Sequence, residues 1–228
     1  HSKLSNTSKE DLISALNSAL EKLRFSLLEA SHVVFTFGTA WVYKHLEKDI
    51  IVANCHKVPQ KEFVKQLLSP DDVSDVLLGI ETKLRTINPT CSIINTVSPV
   101  RHIKDGLIEN SRSKAHLIAG VQEIVSSDKF NYYFPSYEIM MDELRDYRYY
   151  KEDLIHPNQT AIAIIWNAFT GSWICPETAA LQKKIATIQS GMLHTPFNEN
   201  SMAHIHFKKD LEVQISQVQK ALPWATFL

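Results

Sequence analysis

The chain has 228 residues, 44% of them hydrophobic, and a formal net charge of −1 from 24 basic and 25 acidic side chains. That length and apolar content suit a globular protein with a substantial core. The balanced charge lacks the basic footprint that phosphate backbones demand, which argues against nucleic acid as a partner, and no apolar run approaches the roughly 18 to 20 residues of a membrane span. Cys55, Cys91 and Cys175 are too few and too scattered for a disulfide framework, a usage that fits a reducing, cytoplasmic compartment. The opening HSKLSNTSKEDL has neither an initiator Met nor the pattern of a signal peptide, and it reads as the start of a fragment.

Taken in chain order, Thr7 or Ser8 can cap a first helix over about 10–30, in which Leu12, Leu16, Leu20, Leu23 and Leu27 recur at three- and four-residue spacing and predict one buried stripe. Val33, Val34, Phe35 and Phe37 then form a near-continuous apolar run closed by Gly38, which predicts a parallel strand buried on both faces. IIVAN (50–54) reads as a second short strand. Residues 69–87 read as a helix with Pro70 at its start and acidic residues in its first turn. SIINTV (92–97) is the next buried strand, 109–126 a helix, NYYFPS a short strand, 137–144 a helical stretch, and Asn158 caps a helix to about Phe169. This alternation predicts an open, mostly parallel sheet covered on both faces. Beyond Gly171 the strand signal disappears; 176–189 and 204–221 read as two helices. The expected organisation is an α/β domain over 1–171 and a helical C-terminal appendage over 172–228.

Open α/β sheets bind ligands at the carboxyl ends of their strands. The polar residues there are Gly38 and Thr39 after the first strand, Asn54, Cys55 and His56 after the second, and Ser98, Arg101 and His102 after the third. Gly38, Thr39, Asn54, His56 and Ser98 are the candidates for substrate and oxyanion contacts, because a glycine at a strand end lets backbone N–H groups face a cleft. Asp153 and His156, just before the Asn158 cap, are the candidate catalytic pair. An acid and a histidine separated by two residues can meet where the chain turns into a helix, and Pro157 stiffens that turn. The same spacing also suits an Asp that merely caps backbone amides. No metal and no cofactor is expected: His204 and His206, the one suggestive pair, lie two apart on an expected helix and face different ways.

With these pieces placed, the stretches FTFGTAWVY (35–43), VANCHKVP (52–59), TVSPVRHIKDGLIENSRSKAHL (96–117) and YFPSYEIMMDELRDYRYYKEDLIHPN (133–158) resemble the GSCFA-domain family, a branch of SGNH-type hydrolases. The resemblance implies a three-layer αβα sandwich of flavodoxin-like type and ester-hydrolase chemistry. It places Asp153 and His156 on the block that supplies acid and base. It places Gly38 on the block that reads G-x-N-D in other SGNH enzymes, where Ala40 stands in place of the oxyanion Asn. The Gly-Ser-Cys-Phe-Ala stretch that carries the nucleophile is absent: the chain has no Gly-Ser-Cys and no Gly-Asp-Ser, and its single Gly-Ser is Gly171-Ser172. The expected start therefore lies downstream of that block, with a strand of the sheet missing beside it. Three functions follow as expectations: a serine esterase acting on an ester-bearing glycan or small metabolite, incomplete in this chain; a non-catalytic binding module that keeps the fold; and, less favoured, an acyl transferase that uses Cys55.

Overall fold

A computed structural model describes residues 4–53, 55, 57–127, 129–196 and 201–227. Helix α1 (Lys9–Glu29) begins at Ser8, whose side chain accepts from the Asp11 N–H. Its leucine stripe is not buried: no residue of α1 is fully enclosed, and Leu20 is 61% exposed. Only its C-terminal end is packed. Leu27 and Ala30 lie against Leu84, Cys91 and Ile93, and Asn88 donates from Nδ2 to the carbonyls of Leu27 and Ala30. Helical periodicity shows which face could be covered, but covering it needs a second surface.

Strand β1 (His32–Phe37) does pair in parallel with the 92–97 strand, in the register Val33↔Ile93 to Phe37↔Val97. It is the edge of a three-stranded sheet, however, and alternates between exposed and half-buried residues; Val34 is 48% exposed. The expectation of burial on both faces fails for β1, because an unbroken apolar run cannot distinguish an edge strand from a central one. The chain next forms a separate antiparallel sheet from β2 (Trp41–His45), β3 (Ile50–Val52) and β4 (Phe63–Leu67) in the order β3-β2-β4. The strand expected at 50–54 thus belongs to this hairpin and not to the parallel sheet. Its connection to β2 is a four-residue turn, 46–49, with Asp49 at φ 54° and its N–H on the His45 carbonyl. A turn that short can join only antiparallel neighbours.

Helix α2 (Pro70–Ile87) starts with a reciprocal cap between Ser69 and Asp72 and has Pro70 in its first turn. It leads to β5 (Ser92–Val97), the central strand and the most enclosed. Helix α3 (Leu107–Ser127) follows, and β6 (Asn131–Tyr133) completes the parallel sheet in the order β1-β5-β6. Val73 and Leu77 of α2 meet Leu117, Val121 and Ile124 of α3 over Val97 and Ala40. Gly120 permits that approach, since a Cβ there would stand 2.6 Å from the Pro70 carbonyl oxygen. A short α4 (Ser136–Glu138) runs into a π-helical turn, Ile139–Glu143, and α5 (Gln159–Trp173) begins at Asn158, whose Oδ1 accepts from the Ala161 N–H.

The chain divides into two compact units, with the boundary between Ile165 and Trp166 inside α5. In the second unit α6 (Ala179–Met192) and α7 (Met202–Ala221) pack together, and Gly191 admits the Leu211 and Phe207 side chains. Ile188 and Val218 are its enclosed residues. Among the described residues no helix is long and apolar enough to cross a membrane.

Candidate active site

Strands β1 and β5 end in register, so Gly38 and Ser98 are adjacent first residues beyond a parallel pair. The Ser98 N–H donates to the Phe37 carbonyl at 2.9 Å. Beneath them lies Lys114 of α3, 1% exposed, whose Nζ donates to the Gly38 and Ser98 carbonyls at 2.6 Å each. Burial lowers the Lys114 pKa from 10.5 to about 8. In a trans peptide the C=O and the following N–H point opposite ways. The Gly38 carbonyl faces Lys114, so the Thr39 N–H points away from that ammonium.

The Thr39 hydroxyl has local duties. It accepts from the Trp41 N–H at 3.1 Å and lies 3.0 Å from Ser113 Oγ, which in turn accepts from the Ala40 N–H at 2.8 Å. Ala40 itself is in the hydrophobic core, so neither its side chain nor its N–H is offered to a ligand. The Ser98 hydroxyl accepts from the Val100 N–H at 3.2 Å. His102 packs over Gly38, where a Cβ would come within 3.1 Å of the imidazole Nε2. The His102 N–H is held by Asn110 Oδ1 at 2.7 Å. Burial and then the Lys114 charge lower the His102 pKa, with a smaller push from His156 and an opposing one from Asp105.

Asp153 and His156 sit in a tight loop between Tyr150 and Pro157, which form an isolated antiparallel bridge. The Lys151 N–H donates to the His156 carbonyl at 2.8 Å, and Leu154 takes a left-handed φ of 56° to close the turn. Asp153 Oδ2 lies 2.7 Å from His156 Nδ1. Asp153 Oδ1 accepts from the Ile155 and His156 N–H groups at 2.9 and 3.0 Å. The capping and ring-orienting roles that the spacing left open therefore coexist, one on each carboxylate oxygen. Those contacts, led by the His156 and Ile155 backbone bonds, lower the Asp153 pKa to about 2. With Nδ1 hydrogen-bonded to a carboxylate, the neutral ring carries its proton there and leaves Nε2 as the acceptor. Both side chains remain accessible, His156 at 51% and Asp153 at 42%. Among the described residues no hydroxyl or thiol bonds to His156 Nε2.

Arg101 ties this loop to the β5 exit. Its N–H donates to the Ile155 carbonyl and its Nη1 to the Leu154 carbonyl, both at 3.3 Å. Its guanidinium lies 4.3 Å from the centre of the Tyr150 ring. Gly38 and Ser98 are thus joined through Lys114, His102 packs over Gly38, and Arg101 connects the β5 exit to the Asp153–His156 loop. Asn54 and His56 lie outside the described residues. Cys55 is a half-buried free thiol that follows β3 of the antiparallel sheet, not a strand of the parallel one. His204 is buried and His206 pairs with Asp210 at 3.5 Å; no cluster of metal-ligating side chains occurs among the described residues.

Lys114 and Ser113 are the site-building residues that the strand-end reasoning misses. The signal was present in α3: Asn110, Ser113, Lys114, Leu117, Val121 and Ile124 share one face at three- and four-residue spacing, and a lysine in a core-facing stripe is anomalous.

A mixed α/β fold with a parallel sheet, and an Asp–His pair held in a loop that the β5 exit braces, describe the class of protein. The chain belongs to the GSCFA family, whose model matches residues 1–169. A search of curated proteins matches none to this chain.

Proposed function

We propose that the protein is an ester hydrolase of the SGNH type, built on a three-layer αβα sandwich over 1–171 with 172–228 as a helical appendage. The observation that carries this reading is the Asp153 carboxylate, which holds His156 Nδ1 with one oxygen and the loop backbone with the other. A serine hydroxyl attacks the ester carbonyl carbon as its proton passes to His156 Nε2. The Thr39 N–H faces the negative charge that develops on the carbonyl oxygen. The tetrahedral intermediate collapses, the C–O bond to the alcohol breaks, and the imidazolium returns its proton to the leaving oxygen. Water, activated by the same ring, then releases the acid. The substrate class is an acyl ester on a glycan or small metabolite.

The 228 residues alone contain no Gly-Ser-Cys or Gly-Asp-Ser stretch, so they are expected to turn over 4-nitrophenyl butyrate only feebly and to resist fluorophosphonate labelling. A longer chain that supplies the serine block is expected to do both, and His156→Ala in it is expected to cut kcat/KM by about a thousandfold or more. Unchanged turnover in that variant would end the reading. One observation favours a binding module instead: no nucleophile is bonded to His156 among the described residues. In that case the longer chain would bind ester substrates without turnover.

A further inference from the structure

We propose that the cavity beside the Asp153–His156 loop is a recognition site for an organic carboxylate with a small apolar body. The cavity holds about 200 Å³. Its apolar floor is fixed, since Met140, Leu144 and Tyr150 are all buried. Arg101 forms part of the wall. It is shared with the catalytic loop, because the same side chain donates to the Leu154 carbonyl and its own N–H donates to the Ile155 carbonyl.

The charge in the wall selects the ligand. Of the charged side chains there, Arg145 is paired with Asp142 at 3.0 Å, and Asp146 is engaged by Arg148, through its N–H at 2.9 Å and its Nε at 3.6 Å. Arg101 makes no ion pair among the described residues. Its guanidinium is held against Tyr150 and, at 5.6 Å, Tyr147, so little freedom remains to be lost when it binds. One hydrogen bond to Leu154 leaves most of its five N–H donors for a ligand, and a planar fork matches the two oxygens of a carboxylate. A single unopposed cation suits a monoanion rather than a phosphate dianion, and the methionine and leucine floor suits a short aliphatic or alicyclic body. The assignment of this anion as the acidic end of an ester substrate rests on the hydrolase reading; the binding itself does not.

The test uses the 228-residue chain and calorimetric or NMR titration with cyclohexanecarboxylate, its neutral isostere cyclohexanecarboxamide, and inorganic phosphate. The carboxylate is expected to bind about tenfold or more tightly than the amide and more tightly than phosphate. Met141→Trp, which fills the cavity, is expected to abolish binding, and Arg101→Lys to erase most of the preference for the acid. Arg145→Met should preserve that preference. His156→Ala should bind the carboxylate as the parent does, so a failed hydrolase reading would leave this result standing. Equal affinity for acid and amide, tighter binding of phosphate, or no binding of either organic probe would overturn the proposal, and none of these comparisons depends on a variant that folds poorly.

Discussion

The strand-end half of the site is braced from inside the core, whereas the loop that carries Asp153 and His156 is braced at the surface. Beneath Gly38 and Ser98 an ammonium with almost no solvent contact holds two backbone carbonyls. In the loop, a half-exposed carboxylate holds two backbone N–H groups and one ring. Removing an internal brace strands buried polar atoms, so such a position acts mainly on stability. Removing a solvated brace lets water substitute, so its effect falls on chemistry and little on folding. The groups proposed to meet a substrate are therefore on the half whose loss the fold can tolerate.

Asp153→Asn in a catalytically complete chain is the largest expected effect. The Asn Oδ1 can still accept both backbone N–H groups, while its Nδ2 presents a donor to His156 Nδ1 and selects the tautomer with the proton on Nε2. Turnover is expected to fall about a thousandfold or more with melting nearly unchanged. A large loss of melting temperature with intact turnover would reverse the comparison. The Asp153 pKa of about 2 is below the ordinary 3.8. Its contribution to stability is therefore complete above pH 3.8 and disappears as the pH falls through 2, so the carboxylate stays ionised and keeps its two backbone N–H bonds throughout pH 5 to 9.

Lys114→Ala comes next. It leaves the Gly38 and Ser98 carbonyls without their partner and is expected to cost about 3 kcal/mol in urea denaturation; a change within about 0.5 kcal/mol would mean that water serves those carbonyls equally well. The pH dependence separates the charge from the packing. The folded pKa of about 8 lies below 10.5, so from pH 8 to 10.5 the unfolded chain binds more protons and stability should rise with pH. That contribution is fully present above 10.5 and lost as the pH falls through 8. In Lys114→Met the rise should flatten relative to the parent.

What the sequence reveals divides along the same line. The Asp153–His156–Asn158 element was legible because the hydrogen bonds of those three residues fall within ten residues in the chain, where spacing and turn chemistry determine geometry. The β1–β5 pairing was legible because both runs are apolar and separated by a helix. The α1 leucines misled, since periodicity predicts a face without supplying a surface to cover it. The β2–β3 hairpin was missed because nothing in IIVAN distinguishes its partner; the short turn at 46–49 decides that. Lys114 was overlooked because its value depends on two carbonyls, 76 and 16 residues away in the chain, that only the folded sheet brings together.

The smallest expected effect concerns the turn that closes the surface-braced half. Leu154 is a non-glycine residue at φ 56° with a 47% exposed side chain, so it bears left-handed strain of roughly 1 kcal/mol and buries little in return. Its carbonyl takes the Arg101 bond and its N–H bonds to the Lys151 carbonyl, and both survive in any variant. Leu154→Gly should relieve the strain and, after the greater entropy of glycine in the unfolded chain, stabilise the protein by about 0.5 kcal/mol. Leu154→Ala keeps the Cβ and should give no gain. Precise thermal or urea denaturation of the pair tests this: if glycine and alanine behave alike, the turn is not strained. If glycine is instead clearly destabilising, the leucine side chain holds the loop, and the Asp153–His156 geometry depends on packing as well as on its hydrogen bonds.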